Sequence, residues 1–436
     1  MIAASDSRLM NASPARLHAG FWSIAIAFLT AMAFSTVPTP LYPLYMRRDG
    51  FSTFTVTVVF AVYAVGVVIS LLLAGHISDR LGRKKILIPA LALELLAAAL
   101  FLTSSSLPVL LAARFVTGLG VGMITATATA HLQELHAAHQ PGASRQRFEV
   151  VSTAANSGGL GLGTLIAGLL AQFVYAPLRT PYLVFAGLLA LSILLVALTP
   201  ETVTRAPDRY RYRPQRIGAH GNRMVYLTAA VSALASFAVF GVFTSLAPGF
   251  VSGTLHHSSR ALAGAIVFAV FGAAAAAQAL TGSLSAAAKT RLGLLAQASG
   301  IVVLVIGMHT ASLAAFLVGG VVAGIGAGVL FKAAVGSVAA SAAPAERGEA
   351  LAGLFLIAYL GLGVPAIALG VATRSLPAVT VMTWFAGILL VLLATVALLS
   401  RRTAPTATPG APAPELPSAG AGTAGGPVRD LAHSAR

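Results

Sequence analysis

A chain of 436 residues in which 57% are hydrophobic and 9% are Asp, Glu, Lys or Arg has too little charge to cover a soluble globule, which carries roughly a quarter charged residues. Its net charge of +16 would suit a nucleic-acid binder if the basic residues shared one face, but they sit at the ends of apolar runs. With no cysteine there is neither a disulfide framework nor a thiolate metal site.

The first apolar run, 20–45, is too long for a secretory leader and ends in Pro38, Pro40 and Pro43, so it reads as a retained membrane span. A helix rises about 1.5 Å per residue and must cross about 30 Å of hydrocarbon, which takes about 20 residues. Further runs that meet this requirement are 54–74, 86–105, 107–128, 150–173, 182–200, 225–250, 261–283, 292–308, 312–335, 350–372 and 377–400. Their unbroken hydrophobicity predicts helices; barrel strands would alternate over about ten residues. The fold class is therefore all-α and transmembrane, with twelve spans.

Between the second and third runs lies "GHISDRLGRKK", residues 75–85, a concentration of charge in otherwise apolar surroundings. After the sixth run comes the longest connection, polar and arginine-rich, over 201–224. Lys and Arg gather at one set of helix ends, in 80–85, 145–147, 205–223, 289–291 and at Arg347, Arg401 and Arg402, while the other ends hold Arg47, Arg48, Arg179, Arg260 and Arg374. That bias predicts both termini in the cytoplasm. The expected organisation is a cytoplasmic N-terminus (1–19), a six-helix bundle (20–200), a basic cytoplasmic linker (201–224), a second bundle (225–400) and a Pro- and Ala-rich disordered cytoplasmic tail (401–436).

The halves echo one another. "GLGVG" at 118–122 returns as "GIGAG" at 324–328, "GLG" at 161–163 returns at 361–363, and "GSLSAAAKTR" from Gly282 follows Gly75 at a similar offset. Six-span units repeated about an axis normal to the membrane are a carrier architecture.

Gly75, Asp79, Arg80, Gly82, Arg83 and Lys84 reproduce, position by position and in the matching loop, the signature between the second and third helices of the major facilitator superfamily, which the chain resembles over 20–400. The resemblance implies two pseudo-symmetric six-helix bundles, with this cluster acting as a conformational latch between halves. Ala286 stands where the second repeat would carry the acid, so the latch is expected to be asymmetric, with Lys289 and Arg291 supplying positive charge alone.

Arg114 resembles the basic residue of the family's fourth-helix motif, which implies a part in proton coupling; by its depth alone it either faces a wet cavity or snorkels to the interface. Glu94, within the third run, either pairs with Arg114, titrates during transport or supports a peripheral helix. The fifth run resembles the glycine-rich motif of exporters, but Thr164 follows Gly163 where the motif has proline. Packing by glycine in any polytopic protein accounts for it equally. If the family arrangement holds, the substrate cavity is lined by Thr36, Tyr42, Asn156, Phe240, Thr244, Gln278, Lys332 and Tyr359, with Thr39, Tyr63 and Ser236 as further candidates.

The resemblance implies a secondary transporter of the plasma or inner membrane that exports a small organic solute or drug in exchange for protons by alternating access. An uptake permease for a metabolite and a non-transporting receptor or scaffold on the same fold are the alternatives. No enzymatic activity, metal or cofactor is expected, and the energy source is the proton gradient. The expected partners are the solute, protons and membrane lipids, with no nucleic acid, and the functional unit is a monomer.

Overall fold

The computed structural model describes residues 13–403 except 75, 76, 141, 143, 145, 204–217, 220, 344 and 345. Among the described residues, twelve helices are long and apolar enough to cross a membrane. They are α1 (Pro14–Asp49), α2 (Thr53–Ala74), α3 (Lys84–Thr103), α4 (Leu107–His139), α5 (Gln146–Phe173), α6 (Thr180–Leu198), α7 (Arg223–Ser245), α8 (Arg260–Leu280), α9 (Ala286–His309), α10 (Leu313–Ser341), α11 (Arg347–Ala372) and α12 (Ala378–Thr403).

Polar caps start several of them. Ser259, Ser285 and Ser312 each accept a bond from a backbone N–H two or three residues on, at the heads of α8, α9 and α10. Asn222 does the same twice for α7, through Met224 at 2.9 Å and Val225 at 3.3 Å. The proline cluster does not end α1: it inserts a tight turn, Thr39–Leu41, after which the helix resumes as Tyr42–Asp49. α5 carries a wide π turn at Ala154–Gly158.

Several boundaries differ from the sequence expectation: α1 spans Pro14–Asp49 where 20–45 is expected, α5 starts at Gln146, and four further ends move. α4 runs on to His139 and α10 to Ser341, because their polar last turns continue the helix beyond the apolar run. α9 starts at Ala286, so the short ninth run is a full-length helix with a basic first turn and a half. α7 stops at Ser245, where Pro248 opens a separate short helix, Ala247–Gly253.

The packing repeats between halves. In the first, α1 and α2 pack on α4, α3 on α4 and α6, and α1 on α5 and α6; in the second, α7 and α8 pack on α10, α9 on α10 and α12, and α7 on α11 and α12. α5 against α8 and α2 against α11 join the halves and exchange with each other under the same relation. One seam consists of main chain: Gly300 lies on the backbone of Ala323 and Gly319, Gly307 on that of Ala315 and Phe316, and Gly326 on that of Gln297, so α9 and α10 touch where no Cβ would fit.

Candidate functional site

Helices from both halves enclose a central cavity of about 70 Å³. The first half supplies a mainly polar wall: Ser35, Thr36 and Thr39 from α1, Tyr63 from α2, Arg114 and Thr125 from α4, and Asn156 and Ser157 from the π turn of α5, with Met32, Phe60 and Leu160 among them. The second half supplies Phe237, Phe240 and Thr244 from α7, Phe271 and Gln278 from α8, Phe331 from α10, and Phe355 and Tyr359 from α11. The aromatic rings interlock, with Phe240 stacked on Phe271 at 4.7 Å between centroids and Phe237 against Phe331 at 4.8 Å and Tyr359 at 5.5 Å.

Of the residues expected here from sequence, Thr36, Asn156, Phe240, Thr244, Gln278 and Tyr359 line this cavity, as do Thr39 and Tyr63. Tyr42 lies elsewhere, in the wall of a larger, mainly apolar cavity of about 330 Å³ at the helix ends remote from the charged loop. Lys332 is not in the central wall; its Nζ donates to the Gln278 carbonyl at 2.6 Å. Ser236 is fully buried without a hydrogen-bond partner. Ser35, Ser157 and the phenylalanines at 237, 271, 331 and 355 were missed; the Phe237, Phe240, Thr244 spacing on one helix face was the one available signal.

Arg114 is 2% exposed. Its Nη1 donates to the Ser35 carbonyl at 2.7 Å, its guanidinium carbon stands 4.4 Å from the Tyr63 ring centroid and 5.9 Å from that of Phe60, and Nε has no partner. It faces the cavity and does not snorkel. Glu94 is fully buried in α3, its carboxyl pressed on Gly120 of α4 and near the Val121 backbone, with no hydrogen bond of good geometry at either oxygen. The two make no ion pair, and Glu94 is not part of the cavity wall.

The charged loop is held by two carboxylates that the sequence reading did not identify. Arg83 is 5% exposed and grips Glu134 of α4 with Nε at 3.1 Å and Nη2 at 2.5 Å, while Nη1 donates to Ser78 Oγ at 2.7 Å. Glu201, just beyond α6, accepts the Arg83 and Lys84 backbone N–H groups at 2.9 and 3.0 Å, capping α3 at its positive end. Lys84 answers by donating Nζ to Ala197 O at the end of α6, 2.5 Å away. Gly82 turns with φ +108°, and a Cβ there would stand 2.9 Å from the Glu201 carboxylate. These bonds of Arg83 and Lys84 all lie within the first six helices. Arg80 is exposed; Gly75 and the Asp79 side chain lie outside the described residues. In the second half, Lys289 donates to the Gly282 carbonyl at 3.1 Å.

Thr164, in place of the motif proline, is fully buried, and its one hydroxyl proton is shared between Gly161 O in its own helix at 2.7 Å and Gly264 O of α8 at 3.1 Å, the latter arm running between halves. Gln278 of α8 reaches Ser157 of α5 at 3.5 Å across the same interface.

A family model, the Major Facilitator Superfamily, matches residues 24–314. The quinolone resistance protein NorA of Staphylococcus aureus is 24% identical over 237 residues, 54% of this chain and 59% of NorA. The bacillibactin exporter of Bacillus subtilis is 25% identical over 211 residues, 47% of this chain and 52% of the exporter. The matches span about half the length of these curated relatives. A solved structure of the human organic anion transporter MFSD10 (TETRAN) is similar in fold, with a TM-score of 0.64 at 18% identity over 87% of this chain and 99% of that one.

Proposed function

The chain belongs to the Major Facilitator Superfamily, and from that premise we propose that this multi-pass transporter is an exporter of a small organic solute, driven by proton entry through alternating access. The observation that carries the reading is the central cavity, walled by helices of both halves. Rocking about the α2/α11 and α5/α8 contacts would expose it to each side in turn. The names of the two curated relatives favour export over uptake.

Glu94 is the proton carrier in this account. An ionised carboxylate buried without partners costs several kcal/mol, so a group placed there gains or loses a proton as its surroundings rearrange. Because it presses on α4, the helix that carries Arg114, its charge state is coupled to the cavity through that helix. The Arg83 cluster fixes the loop-side ends of α3, α4 and α6 as one unit and, in this reading, is part of the conformational latch to which Gly75, Asp79, Arg80, Gly82 and Lys84 also belong. The bias of basic residues supports both termini in the cytoplasm, and in this reading the protein acts as a monomer in the plasma or inner membrane.

Purified protein in proteoliposomes tests the reading with a solute panel and imposed proton gradients of both signs. An antiporter accumulates its solute when the lumen is acidic, as protons leave in exchange. Accumulation driven by an acidic exterior would establish symport and overturn the export mechanism.

A further inference from the structure

The central cavity is uneven in charge. Among the described residues that line it, Arg114 is the one formally charged side chain; the Glu94 carboxyl is within electrostatic reach of Arg114 but is not part of the wall. A guanidinium buried in a membrane protein ordinarily meets an acid or a dense set of carbonyls. Here one carbonyl, that of Ser35, and two aromatic faces serve it, Nε is buried without a partner, and no ion pair forms with Glu94. The site therefore holds a fixed positive charge whose hydrogen-bonding capacity is partly unspent.

The second half brings five phenylalanines to the same space, which Phe60 of the first half also lines. Phe237, Phe240, Phe271, Phe331 and Phe355 come from four helices of the second half, and their rings already contact one another edge to face or stacked. The two walls offer different chemistry across one space: anion recognition on the α4 side and ring stacking on the α7/α8/α10/α11 side. A solute complementary to both is amphipathic, with the anion at one end. A cation would face Arg114 with like charge and find no carboxylate in the wall.

We propose that the transported solute is an aromatic monoanion, a carboxylate or group of like charge on a ring system, whose anion pairs with Arg114 and whose ring inserts among the phenylalanines of the second half. This rests on the transport reading above and narrows it to a substrate class. The space of about 70 Å³ suits the anionic head group, so the aromatic wall must part from the polar wall to admit the ring. The motion that alternates access supplies that separation.

The test is equilibrium binding to the purified full chain in lipid nanodiscs, by calorimetry, with three probes of one shape: 1-naphthoate, 1-naphthamide and 1-naphthylmethylammonium. A charge-assisted bond lost without replacement is worth at least about tenfold in affinity, so naphthoate is expected to bind about tenfold or more tighter than the amide, with the ammonium weaker than both. Arg114→Gln should erase the difference between acid and amide, and Arg114→Lys should keep part of it. Equal binding of acid and amide to the unaltered protein, or tighter binding of the ammonium, overturns the proposal without recourse to a variant that fails to fold. Failure of the transport reading looks different: the acid preference would persist while no proton gradient drives flux. Proton-driven flux confined to neutral or cationic solutes would leave transport standing and remove the anion assignment.

Discussion

The hydrogen bond from Thr164 to the Gly264 carbonyl ties α5 to α8 and hence one half to the other, and replacing Thr164 by Val removes it at nearly constant volume. The hydroxyl has a single proton, shared with the Gly161 carbonyl of its own helix, which takes it alone when the halves part, so only the gain over that internal bond biases the conformers. A hydrogen bond between membrane helices contributes about 0.6 kcal/mol on average, and buried bonds in general reach about 1.5. With RT near 0.59 kcal/mol and the proton shared, the average figure is the upper one, and Thr164→Val should shift the balance away from the conformer described here by up to about threefold. The chain has no cysteine, so a single engineered pair can be labelled without altering native positions. Spin labels at Tyr175 and Thr310, both exposed in loops of opposite halves on one face, would report the populations as a double electron–electron resonance distance distribution. Thr164→Ser should restore the starting distribution. Identical distributions for Thr164→Val and the parent would show that the bond does not bias the cycle.

Arg83→Met should lower stability by about 1–3 kcal/mol, less than a wholly buried pair would cost because the Glu134 side chain is 33% exposed; adding Glu134→Met should recover part of the loss in a double-mutant cycle read by thermal unfolding in detergent. Glu94→Gln should leave insertion and solute binding intact but flatten the dependence of flux on the proton gradient, and an unchanged dependence would remove Glu94 from coupling. Gly300→Val forces a branched side chain against the Ala323 and Gly319 backbone and should cost about 1–3 kcal/mol or more, measured as a drop in Tm, whereas the same change at Gly387, which has open space where its Cβ would be, should cost little by crowding.

The crossing helices were legible because hydrocarbon thickness sets the length of an apolar run, and the loop signature because charge stands out in such a chain. Partners were not legible. Glu134 binds Arg83 from the polar last turns of α4, where hydropathy had already signalled the end of the span, and Glu201 sits 118 residues from the backbone N–H it caps. The aromatic wall went largely unread because a cavity-lining phenylalanine and a core phenylalanine have the same local pattern; the helix arrangement alone separates Phe271 or Phe355 from the rest. Glu94 and Arg114 were comparable in depth, yet depth does not give azimuth: one faces into the α3/α4 contact and the other into the cavity. Thr164 was visible as a departure from a motif, but its bond to a helix of the other half needed the fold.

The glycine seam of α9 and α10 bears on how the second half deforms. Side chains between two helices act as a compliant gasket, since they hop rotamers while the rods slide; bare main chain against bare main chain offers no such slack. In the proposed cycle that flank would move as a single plank and pass its displacement to α7 and α8, the neighbours of α10 that also carry Phe237, Phe240 and Phe271. The stiff pair would thus serve as the lever arm that pries the aromatic rings apart, Phe331 of α10 among them.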